Sequence, residues 1–238
     1  MRLLALALLA ATPAFAQEEA PAAPDRRSFQ PPAGCTAFLT IQMASCTVSH
    51  HFTCEADPEG WQRRVDMDEG GITYFGAIDA ETQWVESYHV LTEHSERLEP
   101  SPVDPASFSD LLATGSDRWD FITLSEEIGP TRYVGEDSLP GETVTIDGVP
   151  LERSRYSIRA LAPDGTEIWR SEGQEFVSRD WRMFISGQST VTVGEETTET
   201  DDSPVEFIFP GERGFLSVSP KHGCGAVMSS LPMVGGQG

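Results

Sequence analysis

The side chains best suited to chemistry in this 238-residue chain gather near its start, where Cys46, His50, His51 and Cys54 lie within nine residues. His222 and Cys224 stand near the far end. Thiolate and imidazole are the ligands zinc and copper prefer, so the first four suggest a metal site. Two features oppose it. The spacing is not that of a zinc finger, and in a strand His50 and His51 point to opposite faces. His50 is instead expected as a polar residue satisfied inside a sheet, and neither a metal nor a cofactor is expected.

Other clusters resolve into turns and loops. Asp66-Met67-Asp68-Glu69-Gly70-Gly71 opens like a calcium loop, but its fifth position is Gly70 and its twelfth is Ala77, where ligands are required. A hairpin turn accounts for it. The acidic run from Glu195 to Asp202 reads as a solvated loop. The sequence contains no nucleophile elbow, zinc-protease helix, phosphate-binding glycine loop or dinucleotide fingerprint. His89, His94 and the many serines do not define a triad, because triads are recognised by geometry rather than order. No catalytic residue is assigned.

The aromatic residues are spread over successive segments: Trp61, Trp84, Trp119, Trp169 and Trp181, with Phe75, Tyr88, Phe121 and Tyr156. On one face of a curved sheet they would line an apolar cavity; otherwise they are an ordinary core. The candidate lining set is Trp84, Tyr88, Trp119, Phe121, Tyr156 and Trp181.

The setting of these residues follows from the ends of the chain. Arg2, an apolar run from Leu3 to Ala11, and Ala14-Phe15-Ala16 fit a signal peptide over 1–16, cleaved on export to a periplasmic or extracellular location. The apolar run is about half of the ~20 residues a membrane-spanning helix needs, and no transmembrane segment is expected. Residues 17–33 are rich in Pro and Ala and read as a flexible leader, 34–233 as a single β-rich domain, and 234–238 as a disordered tail. The net charge is −22. A surface this acidic disfavours nucleic acid and anionic lipid headgroups.

In an exported chain the four cysteines imply two disulfides. If two strands flank a two-residue Ala44-Ser45 loop, Cys35 faces Cys54, leaving Cys46 for Cys224. Cys46–Cys54 is disfavoured, since eight steps of about 3.3 Å separate them along a strand. The sequence leaves three connectivities open.

Period-two alternation recurs between turn signals, as at Val48/His50/Phe52, Trp84/Glu86/Tyr88, Tyr156/Ile158/Ala160, Trp181/Met183/Ile185 and Val205/Phe207/Phe209. One helix is expected over Pro105–Ala113, with Asp104 as N-cap, Gly115 past its end, and Phe108, Leu111 and Leu112 on one face. The fold class is mainly β: a long antiparallel meander forming a curved sheet or partly closed barrel, with one short helix packed on it. This layout resembles the periplasmic half-barrel clamps that carry lipoproteins, a likeness of plan that implies a concave sheet and no activity. The expected function is non-enzymatic binding of a hydrophobic small molecule, lipid or envelope protein by a monomer. A periplasmic hydrolase with its site at the sheet rim and a structural envelope protein are the alternatives.

Overall fold

The alternating segments form strands, each buried where its apolar side chains fall. The structure, a computed structural model, describes residues 28–225. The expected signal peptide, the leader up to residue 27 and the tail at 234–238 lie outside the described residues. Three hairpins come first: β1 (Cys35–Met43) with β2 (Val48–Cys54), β3 (Gln62–Asp68) with β4 (Gly71–Ile78), and β5 (Trp84–His89) with β6 (His94–Leu98). The helix α1 (Phe108–Thr114) leads into β7 (Ser116–Leu124), β8 (Thr131–Ser138), β9 (Thr143–Ile146) and β10 (Val149–Leu161). β11 (Glu167–Ser178), β12 (Met183–Val193), β13 (Glu196–Asp201) and β14 (Pro204–Ile208) complete the chain. All fourteen strands form one antiparallel sheet, ordered β13-β12-β11-β10-β8-β7-β6-β5-β4-β3-β2-β1-β14, with β9 beside β10.

The sheet is curved but not closed, as twisted sheets of this length must be. Its two ends meet in one apolar cluster: Leu39, Ile41 and Met43 of β1 and Phe207 of β14 pack with Leu151, Phe176, Met183 and Ile185 of β10–β12. The connection between β13 and β14 bridges the gap. Asp202 N–H donates to Gly187 O at 2.9 Å, and Ser203 O accepts from Ala44 N–H at 2.9 Å. Tight curvature on β11–β12 depends on glycine: a Cβ at Gly173 would lie 2.2 Å from Gln188 O, and one at Gly187 2.2 Å from Gln174 O. No helix among the described residues is long and apolar enough to cross a membrane.

Cys35 is bonded to Cys54 and Cys46 to Cys224, which fits an oxidising compartment. Three local expectations need correction. The first hairpin turns through Ala44–Thr47 rather than two residues: Met43 N–H donates to Thr47 O, and Cys46 adopts φ 57° as it turns towards Cys224. A bulge near Phe38 also shifts the register above the Cys35–Cys54 pair by one. The helix starts at Phe108 with Ser107 as N-cap, its hydroxyl accepting from Asp110 N–H; Gly115 caps the other end at φ 86°. Residues 104–106 stay extended because Asp104 pairs with Asp120 and Ala106 N–H donates to Gln83 Oε1 at 2.8 Å. Finally, residues 196–201 of the acidic run form edge strand β13, whose β-branched Thr197 and Thr200 sit beside Thr192 and Ser189.

Helix α1 lays Phe108 and Leu111 on Val177, with Leu139 and Phe184 around them. On β11 Val177 alternates with Phe176 and shares a face with Glu175, so the helix covers that face. Residues 28–29 are docked as well, Ser28 bridging Ser217 and Phe29 stacking on His50.

Candidate functional site

The concave side holds charge where a filled core would hold methyl groups. Register places Ser49, Asp66, Tyr74 and His89 in one cross-strand row. The Ser49 hydroxyl donates to Asp66 Oδ1 at 2.6 Å, Arg64 Nε lies 3.2 Å from Asp66 Oδ2, and the Arg64 guanidinium sits 4.8 Å above the Tyr74 ring. Along the ladder β3 and β11 are seven places apart, roughly 34 Å at about 4.8 Å per strand. Arg64 nevertheless acts on Glu175 of β11. A charge felt between those strands crosses the interior.

Glu175 is half-buried and has no hydrogen-bond partner among the described residues. Burial, with Asp137 adding and Arg64 opposing, pushes its carboxyl up to about 8. Asp137 on β8 is raised to about 6, first by burial and then by Asp117 and Glu136, although the Trp119 indole N–H donates to it at 2.9 Å. Opposite Glu175 in the β10–β11 register stands Ser154, whose buried hydroxyl lacks a partner among the described residues.

The six aromatic residues singled out in sequence do not share one lining. Trp119 and Phe121 pack with Tyr133, Ile158 and Ala160, and Tyr156 lies at the margin of that cluster with its hydroxyl 2.9 Å from Ser171. Trp84 meets Phe121 and Tyr133 edge-on at 6.0 and 5.6 Å and remains 44 % exposed. Trp181 belongs to the other cluster, 5.7 Å from Phe207. Tyr88 alternates with His89, so it faces the opposite side of the sheet beside Phe75. The exposed groove of about 660 Å³ across β7, β8 and β10–β13 is a different surface, lined by Arg118, Arg159 and Arg170. These are already matched, the first with Glu136 and the other two on Glu167.

Two clusters bear on catalysis. Ser49 lies 3.2 Å from His51 Nε2, but its hydroxyl, rather than the imidazole, contacts Asp66, and Ser49 is only 3 % exposed. A nucleophilic triad needs the carboxylate on the imidazole. At the rim, His89 and His94 flank the β5–β6 turn and face each other in register, with Glu96 two residues on along the same face. His89 Nε2 is 3.4 Å and His94 Nε2 3.9 Å from Glu96 Oε2. The other carboxylate oxygen accepts from Thr123 at 2.6 Å and Tyr133 at 3.0 Å.

Sequence reasoning passed over this rim cluster. Its signal was present as His-x₄-His-x-Glu, which becomes a convergent set once the four residues between the histidines are read as a hairpin turn. The metal reading of Cys46, His50, His51 and Cys54 is overturned, since both sulfurs are in disulfides. Compared with family profiles, curated proteins and solved structures, the chain matches none of them.

Proposed function

We propose that this chain is an exported binding module of the periplasm or cell exterior. It performs no covalent chemistry and takes an amphiphilic small molecule, such as a lipid, on the concave side of its sheet. The observation that carries this reading is the half-buried carboxyl of Glu175, raised to about 8 with Asp137 adding to the effect of burial, on a sheet whose aromatic cluster Trp84 leaves open at its edge. Raised to about 8, the Glu175 carboxyl is held protonated near neutral pH, and ionising it there carries a penalty of several kcal/mol unless it is paired. A ligand head bearing hydrogen-bond donors or positive charge removes that penalty, while its apolar body meets the rings. The Pro/Ala leader and the A-x-A site support export.

Native mass spectrometry of protein secreted from its own signal sequence tests the reading, together with saturation by an apolar fluorescent probe. The expected result is one bound amphiphile, with probe affinity at least tenfold lower in Trp84→Ala and in Glu175→Gln. Absence of saturable binding, or equal binding by both variants, would refute it. A second reading, a hydrolase working at the sheet rim, draws on the convergence of His89, His94 and Glu96. Turnover of ester or phosphoester substrates that disappears in His94→Ala would favour it over the first.

A further inference from the structure

We propose that His89, His94 and Glu96 form a binding site for one divalent transition-metal ion of the zinc or copper type, at the open rim of the β5–β6 hairpin. The proposal stands on three features of the geometry and does not depend on what the concave side binds.

First, the ligand atoms converge. One ligand atom from each of the three residues lies within 4.8 Å of the other two, and both Nε2 atoms lie within 3.9 Å of Glu96 Oε2. Ligands sharing a tetrahedral ion at about 2.1 Å are separated by roughly 3.4 Å, so rotamer adjustments of about an ångström complete the site. Second, a simple hydrogen-bonded pair does not explain the arrangement. One imidazole would satisfy Glu96 Oε2, yet a second points its Nε2 at the same oxygen from 3.9 Å, too far for a hydrogen bond. The two rings are stacked at 4.6 Å and held as a pair.

Third, the groups behind the ligands orient them as a metal requires. His94 Nδ1 is 2.9 Å from the Thr92 hydroxyl. When Nδ1–H donates there, the Nε2 lone pair is left facing Glu96. Thr123 and Tyr133 occupy Glu96 Oε1, so Oε2 alone is presented. Glu96 is 6 % exposed, whereas the His89 side chain is 40 % exposed, so the remaining coordination positions face solvent. Two imidazoles and one carboxylate select a borderline ion over calcium or magnesium, which take oxygen ligands. The other convergent set, Cys46, Glu69 and Cys224, offers nothing comparable because its sulfurs are bonded to each other.

The test is titration of the untagged, metal-stripped full chain with zinc chloride, followed by calorimetry, and with cobalt(II), followed by visible absorption. The expected result is one equivalent bound, visible bands of nitrogen- and oxygen-ligated cobalt, and affinity unaffected by excess magnesium. His94→Ala and Glu96→Gln each lower affinity at least tenfold. His222→Ala, which removes the imidazole beside Glu206, leaves it unchanged and so separates a built site from adventitious surface binding. Because Glu96 is buried, circular dichroism accompanies each variant; should Glu96→Gln misfold, His89→Ala at the solvent side takes its place. Binding absent from the parent protein, retained in the His94 variant, or lost equally in the His222 variant would overturn the proposal.

Discussion

Two hairpins of this sheet carry histidine pairs and put them to opposite uses. In β1–β2, His50 and His51 are adjacent in sequence, so alternation sends them to opposite faces, and both faces are covered. His50 is 0 % and His51 6 % exposed. Phe29 stacks on the first at 5.1 Å, and Phe38 lies 6.2 Å from the second. Burial lowers the imidazole of His50 to about 4; burial, then Arg64 and His50, lower that of His51 to about 3. Both stay neutral and belong to the core. In β5–β6 the histidines close a loop of four residues, meet in register, and keep one side open to water. Register and cover, rather than nearness in sequence, decide whether an imidazole is available for chemistry.

The comparison is broken most forcefully by releasing the first hairpin. The Cys46–Cys224 bridge spans 178 residues and the Cys35–Cys54 bridge 19. In the chain-entropy description they contribute about 5 and about 3 kcal/mol. Urea unfolding of Cys46→Ser/Cys224→Ser should therefore show the larger loss, with Cys35→Ser/Cys54→Ser second. Zinc binding at β5–β6 should survive the second change. Equal losses would mean that the long bridge does not restrain the unfolded chain.

Acid tests the same contrast. A histidine whose folded pKa lies below its unfolded value, about 6.5, binds its proton more readily in the unfolded state, so stability is intact above pH 6.5 and falls as pH drops towards the folded value. For His51 this amounts to about 3 kcal/mol between pH 6.5 and pH 4. His51→Asn should flatten the decline in unfolding free energy over that window, measured by urea titration at each pH. An unchanged slope would remove the sealed-core account of this hairpin.

The interior carboxylate behaves with the opposite sign. Glu175 is raised to about 8, so the folded state holds its proton more tightly and stability decreases as pH rises from about 4.5 to 8. Glu175→Gln should add about 2 kcal/mol at pH 8, discounted for its contact with solvent, and close to nothing at pH 4. The smallest expected effect is at the rim. Thr92→Val removes the hydroxyl that orients His94 and should weaken zinc roughly tenfold, while metal-free stability is unchanged.

Much of the architecture was legible in the residues. Alternation at Tyr156 marks a strand because one face of β10 meets the core, and the segments at Val48 and Val205 follow the same period although β2 is covered on both faces. Phe108, Leu111 and Leu112 mark the helix because they recur at helical spacing. The helix start was not legible: the bonds that keep residues 104–106 extended come from Gln83 and Asp120, distant in sequence. Nor was β13, where the acidic run masks threonines that pair only once β12 is in place. The aromatic lining set was read without knowing which faces meet, and strand alternation placed Tyr88 on the outside. The rim cluster was hidden for a related reason. His89, His94 and Glu96 become neighbours only after the turn between them sets the register, and Thr123 and Tyr133 reach Glu96 from strands that follow the helix.

A structure of the protein crystallised with zinc and measured at the zinc absorption edge addresses the two-hairpin contrast most directly. The account predicts one strong anomalous peak between His89 Nε2, His94 Nε2 and Glu96 Oε2, and none at His50 or His51. A peak confined to His222 and Glu206, or an empty β5–β6 rim at saturating zinc, would contradict it.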